Sequence, residues 1–145
     1  MDGEAERKLA ASLFNDVWSL LEAEPRTPEQ DDELIHAAHA SRYHWGVVGD
    51  PVNLARGEWQ CSRVYAVLHR AEPALWHARR CLELCEQHAV GDFDLAFAHE
   101  ALARGHAVAG DAAARDRHAA LAREAAVRIA EDEDRELLLA DLATL

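Results

Sequence analysis

The sequence predicts an all-α fold of about seven helices packed as antiparallel hairpins, and three observations carry that expectation. Apolar residues recur with a helical period in every long segment, and no segment alternates as a strand would. Capping residues and turn glycines or prolines punctuate the chain at regular intervals. The connections between them are only a few residues long, which sets neighbouring helices antiparallel. With 145 residues, the chain fits a single domain, 1–145, large enough to fold on its own core.

The punctuation places the helices near 4–23, 28–47, 51–69, 73–89, 93–109, 112–130 and 133–143. Thr27-Pro28-Glu29-Gln30 reads as a capping box with proline at the first helical position. Gly49-Asp50-Pro51 ends one helix and opens the next, and Ala71-Glu72-Pro73 does so with a weaker cap. Gly91-Asp92 and Gly110-Asp111 each pair a helix-ending glycine with an N-cap aspartate. Asp132 caps a last short helix. Leu9, Leu13, Val17, Leu20 and Leu21 form the packing stripe of the first helix. Leu34, Ala38, Ser41, Trp45 and Val48 form that of the second, and Leu54, Cys61, Tyr65 and Leu68 that of the third. Ala74, Ala78, Cys81 and Cys85 serve the fourth. The fifth, rich in alanine and carrying Gly105, is thin enough for two neighbours to approach closely.

Composition narrows the function. The formal net charge of -12 disfavours nucleic acid and anionic membranes, both of which require cationic contacts. No apolar run has the length of a membrane span, and the N-terminus lacks a secretion signal. Cys61, Cys81 and Cys85 have no disulfide spacing and read as small core residues, which fits a reducing cytoplasm. The preference for Arg and Ala over Lys and Ile points to a GC-rich genome.

The stretch Glu58 to Glu86 resembles a tetratricopeptide repeat: Cys61, Ser62 and Tyr65 match its first helix, and Ala74, Ala78, Cys81 and Leu82 its second. A second match runs from Phe97 to about Ala126, with Gly110-Asp111 as the inter-helix turn and His106 in place of the family's tyrosine. The whole chain resembles bacterial repeat-type proteins. The resemblance implies a short tetratricopeptide-like α-solenoid whose concave groove binds a peptide or partner protein. By the same alignment Arg56, Trp59 and Arg63, and Phe97, Glu100 and Arg104, fall where such repeats line that groove.

The run HAAHASRYHW, His36 to Trp45, is the densest group of polar rings. At about 100° per residue, His36, His39 and Tyr43 share one face opposite Leu34, Ala38, Ser41 and Trp45, and His44 lies off both. If the second helix faces the groove, His36, His39 and Tyr43 join the strip formed by the other six residues. Such a strip suits a peptide, a partner protein or a small acidic ligand, with the arginines pairing charge and the aromatic rings stacking. It requires no cofactor.

Two other readings stand beside it. His36 and His39, spaced i,i+3, could hold a divalent metal such as zinc with Glu100, Glu58 or His44 as a further ligand, although HAAH lacks the glutamate of HExxH. A metal-free enzyme could use a histidine or Glu58 for proton transfer. Glu58 sits at the edge of an apolar face, so its carboxylate requires a partner or a raised pKa. His99 and His106 read as core histidines hydrogen-bonded to a neighbour. The leucines of ELLLADLATL could cap the stack or seal a homodimer.

Overall fold

A computed structural model describes residues 1–145. Seven helices follow one another without a strand: α1 (Gly3–Glu22), α2 (Pro28–Val48), α3 (Pro51–Val67), α4 (Ala71–Gln87), α5 (Asp92–Ala109), α6 (Ala112–Ala126) and α7 (Asp132–Leu142). They form a stack of helical hairpins, α1–α2, α3–α4 and α5–α6, with α7 laid against α5 and α6. Consecutive odd-numbered helices touch along the stack, whereas the backbones of α2, α4 and α6 do not approach one another. That difference curves the stack, with α1, α3, α5 and α7 on its concave side. No helix is long and apolar enough to cross a membrane.

Most of the caps are those the sequence announces. Thr27 and Gln30 form the reciprocal capping box of α2, and Asp50 and Asn53 form the same device on α3. Gly110 ends α5 in the left-handed region, at φ 79. The Asp111 side chain then accepts from the Ala114 N–H. Three boundaries differ. Helix α4 starts at Ala71 rather than 73, because Pro73 stands in the first turn, where no intrahelical N–H is needed. At Gly91-Asp92 the roles are exchanged: Gly91 is the cap and Asp92 the first helical residue, with the positive φ on Ala89 and Asp92. Asp132 does not cap α7 but pairs with Arg135 in its first turn.

The core runs in layers along the stack. Val17, Leu34 and Ala38 close the first hairpin against Cys61 and Val64. Ala55, Cys81, Leu84 and Cys85 meet Ala98 in the middle. Phe97, Ala103, Ala119, Ala122, Ala126 and Ile129 receive Leu138 and Leu142 of α7 at the far end. Buried polar side chains tie neighbouring helices together by their backbones. Ser41 Oγ donates to the Ala10 carbonyl at 2.8 Å, Ser62 Oγ to Ala74 at 2.8 Å, and Gln60 Nε2 to Phe14 at 2.9 Å. Helix α5 is central, touching α3, α4, α6 and α7. A Cβ at Gly105 would lie 2.7 Å from Leu75 Cδ2, so glycine permits the close approach of α4.

The residues expected on an open face of α5 are enclosed. Phe97 is 2% exposed and Glu100 is 0% exposed, because α7 lies over the part of the concave side where they point. The three cysteines are free and buried.

Candidate functional site

The concave side carries a chain of aromatic rings supplied by three helices. Phe14 and Trp18 are one turn apart on α1, with ring centroids 6.2 Å apart. Trp18 meets Trp59 of α3 at 5.2 Å, Trp59 meets Phe97 of α5 edge-on at 5.4 Å, and Phe97 meets Phe93 at 4.5 Å. These separations are those of interacting aromatic pairs. A cleft of about 420 Å³ opens over the chain, walled by Phe14, Trp18, Arg56, Trp59 and Phe93, with Asp134 and Leu137 of α7 on the far rim. Phe14 and Arg56 also line a neighbouring hollow of about 140 Å³ that ends at Trp45, and Arg7 covers the Trp45 ring at 5.4 Å. Six of the nine aromatic residues thus line or underlie one groove.

Its polar groups are few. Arg56, with its side chain 49% exposed, is held at the rim by Asp94 through contacts of 2.9 and 3.3 Å. The Asp94 hydrogen bond raises the guanidinium pKa. The indole Nε1 of Trp59 is buried and has no hydrogen-bond partner. A buried N–H without an acceptor costs roughly 1–3 kcal/mol.

Beneath the groove Arg63 and Arg104 close on Glu100. Arg63 donates to Glu100 Oε2 at 3.2 Å and to Asp141 Oδ2 at 2.9 Å. Arg104 Nε donates to Glu100 Oε1 at 2.8 Å, and its NH2 reaches the Asp141 carbonyl and Thr144 Oγ1, each at 2.9 Å. Burial would lower the Arg63 pKa, but Glu100 and Asp141 outweigh it and raise the value. Arg63 also lies 5.9 Å from the Trp59 ring centre. These side chains hold α3, α5 and α7 together and are turned away from solvent.

The histidine run lies elsewhere. Helix α2 belongs to the outer layer, so His36, His39 and Tyr43 do not join Arg56 and Trp59. Tyr43 is 68% exposed. His36 lines a hollow of about 530 Å³ between α1 and α2, beside Asp16, Glu33, Leu13 and Leu20. His44 faces Glu6 of α1 at 3.6 Å. His39 turns toward α3, where its Nε2 lies 2.9 Å from the Tyr65 hydroxyl. The metal reading of His36, His39 and Glu100 is therefore corrected: they are not brought together, nor are Glu58 and His44 arranged as further ligands. No group of three or more His, Cys, Asp or Glu side chains is placed to hold a metal ion. Helical spacing put His36 and His39 on one face but could not say that Glu100 sits in a different layer.

Around His39 lies a second polar cluster. Glu58 Oε2 is 2.6 Å from His77 Nδ1 on α4, and Glu58 Oε1 accepts from Arg42 Nε at 3.1 Å. Burial alone would raise the Glu58 carboxyl; the His77 hydrogen bond and the charges of His77 and Arg42 overcome it and hold the pKa below the usual value. Burial and the neighbouring His77 keep His39 below the ordinary histidine value. His106 stacks on His118 at 5.2 Å, and His99 Nδ1 is buried without a partner, so neither is the hydrogen-bonded core histidine expected.

Sequence reasoning missed Phe14, Trp18, Phe93, Asp134 and Leu137. Phe14 and Trp18 left a signal: they stand one turn apart, beside the Leu9-Leu13-Val17 stripe. No protein-family model, curated protein or solved structure matches the chain.

Proposed function

We propose that the protein is a helical-repeat binding scaffold whose concave aromatic groove takes an apolar or aromatic side chain of a peptide or partner protein. The observation that carries this reading is the open aromatic cleft itself, walled by Phe14, Trp18, Trp59 and Phe93. Aromatic walls supply binding by apolar contact, and the few polar groups that line the cleft, Arg56 and Asp134, orient a ligand, as specific sites commonly do. A groove lined by alternate helices of a hairpin stack is also what the tetratricopeptide resemblance implies, and the free cysteines suit a cytoplasmic setting.

The geometry favours a neutral or basic ligand over an acidic one. Arg63 and Arg104 direct their hydrogen bonds inward to Glu100, Asp141 and Thr144, and Arg56 is already paired with Asp94. Asp134 lies on the rim, and the chain carries a net charge of -12. Basic flanking residues would therefore speed encounter and weaken in salt.

Selection from a random peptide display library tests this reading. Enriched peptides should share an aromatic or long aliphatic anchor. Trp18→Ala should weaken their binding by at least about 30-fold, the loss of a hot-spot residue, while Tyr43→Ala on the outer layer should leave it unchanged. A library that yields no binder, or binders indifferent to Trp18→Ala, would dismiss the groove as the binding surface.

A further inference from the structure

The cluster on the outer side of α3 has the parts of a proton-transfer site, and the binding groove uses none of them. On α4, His77 offers Nδ1 to Glu58 at 2.6 Å, and Arg42 fixes the other carboxylate oxygen at 3.1 Å. An ionised carboxylate accepts, so Nδ1 carries the hydrogen and Nε2 presents its lone pair. No protein group bonds Nε2, and it is not among the buried unpaired atoms. The carboxylate thus fixes the tautomer and orientation of an imidazole whose far nitrogen is free, the relation that makes histidine an effective general base.

Beside it stands a donor. The Tyr65 ring is stacked on His77, centroids 5.7 Å apart and 8° from parallel. Cys61 Sγ lies 4.0 Å from His39 Nδ1, and burial pushes its thiol up to about 12. Cys61 is therefore an S–H placed beside that nitrogen. In the tautomer with the ring hydrogen on Nε2, His39 donates to the Tyr65 oxygen at 2.9 Å. That leaves the Tyr65 O–H free to donate outward.

We propose that this edge of α2, α3 and α4 is a hydrolytic site for small uncharged carboxylic esters, with His77 as general base and Tyr65 as donor to the carbonyl oxygen. Water's oxygen bonds to the carbonyl carbon as His77 Nε2 takes its proton. The carbonyl π electrons move to the oxygen held by the Tyr65 hydroxyl. When they return, the bond to the leaving oxygen breaks, and that oxygen takes the proton back from His77. Acid and alcohol leave, and the protein is unchanged. Glu58 is a positioning residue acting through His77. The other charged or titratable groups near the cluster are Arg42 and His36 on α2 and Arg70 at the start of α4.

The test is p-nitrophenyl acetate hydrolysis by the full chain, followed through many turnovers, with circular dichroism and a thermal melt of each variant. His77→Gln leaves eight of the nine histidines and so corrects for unspecific imidazole catalysis. It should lose about 100-fold in kcat, a usual general-base contribution, and His77→Gly should regain rate with added imidazole. Tyr65→Phe and Glu58→Gln should each lower kcat about tenfold with KM unchanged. Val127→Ala, 79% exposed at the end of α6, should leave the rate intact. A wild-type rate equal to that of His77→Gln, or a reaction that stops after one acetyl group per chain, would overturn the proposal. Should Glu58→Gln fail to fold, His77→Gln and imidazole rescue still decide it.

Discussion

Two residues have buried polar atoms with opposite consequences. Glu100 is enclosed but fully engaged by Arg63 and Arg104. Removing one member of such a set leaves uncompensated buried charge, so Glu100→Ala should cost about 3–5 kcal/mol in urea unfolding. A loss below 1 kcal/mol would mean that the arginines reach solvent instead. Trp59 has an engaged ring but an unengaged N–H. Trp59→Phe keeps an aromatic ring among Trp18 and Phe97 and deletes the orphan donor. It should therefore leave stability unchanged or raise it by up to about 1 kcal/mol. Sequence reasoning singled out Trp59, Arg56 and Phe97 because they stand opposite the apolar stripes. It could not separate Arg56, at the rim, from Arg63 and Arg104, turned inward. Their difference is made by Asp141 and Thr144, about 40 positions further along from Glu100 and Arg104 and brought near only by folding.

At the scale of elements, α7 is the piece that decides which part of the concave side remains open. Leu138 and Leu142 enter the core formed by Phe97, Ala103, Ala119 and Ala122, while Leu137 faces the cleft. Leu138→Ala should destabilise the chain by about 2–5 kcal/mol, whereas Leu137→Ala, half-exposed, should cost little stability and reduce ligand affinity. Equal stability losses in a chemical melt would contradict this placement. The helices themselves were legible because their signals are local: Thr27 with Gln30, and Gly110 before Asp111, act within one turn. The errors fell where a local signal has two solutions. Gly91-Asp92 permits the positive φ on either residue, and the aspartate adopts it here; its Oδ2 accepts from the Ala130 N–H at 3.3 Å, tying the lead-in of α7. The layer to which α2 belongs was not legible, since helical period gives a face but not its neighbour.

For the whole molecule, the pattern of shifted groups predicts acid sensitivity. Burial lowers His39, His99 and His118 below the ordinary value of 6.5. Between their lowered values and 6.5 the unfolded chain binds more protons than the folded one, so stability rises with pH there and falls on acidification. Glu58, held low, contributes stability above the ordinary carboxyl value and loses it as pH falls through its folded value. Acidification also relieves the self-repulsion of an acidic chain, so the comparison is with a variant. The Tm of His99→Gln/His118→Gln should fall less between pH 7.5 and 5.5 than that of the wild type; parallel curves would show that these rings titrate normally. That the concave aromatic groove receives a ligand is tested by following the Trp59 indole N–H in a two-dimensional 1H–15N spectrum as a display-selected peptide is added. This signal should move to saturation, together with those of Trp18 and Trp45, while Trp76 on α4, 56% exposed, stays in place. A peptide that binds with the Trp59 signal unmoved would contradict it.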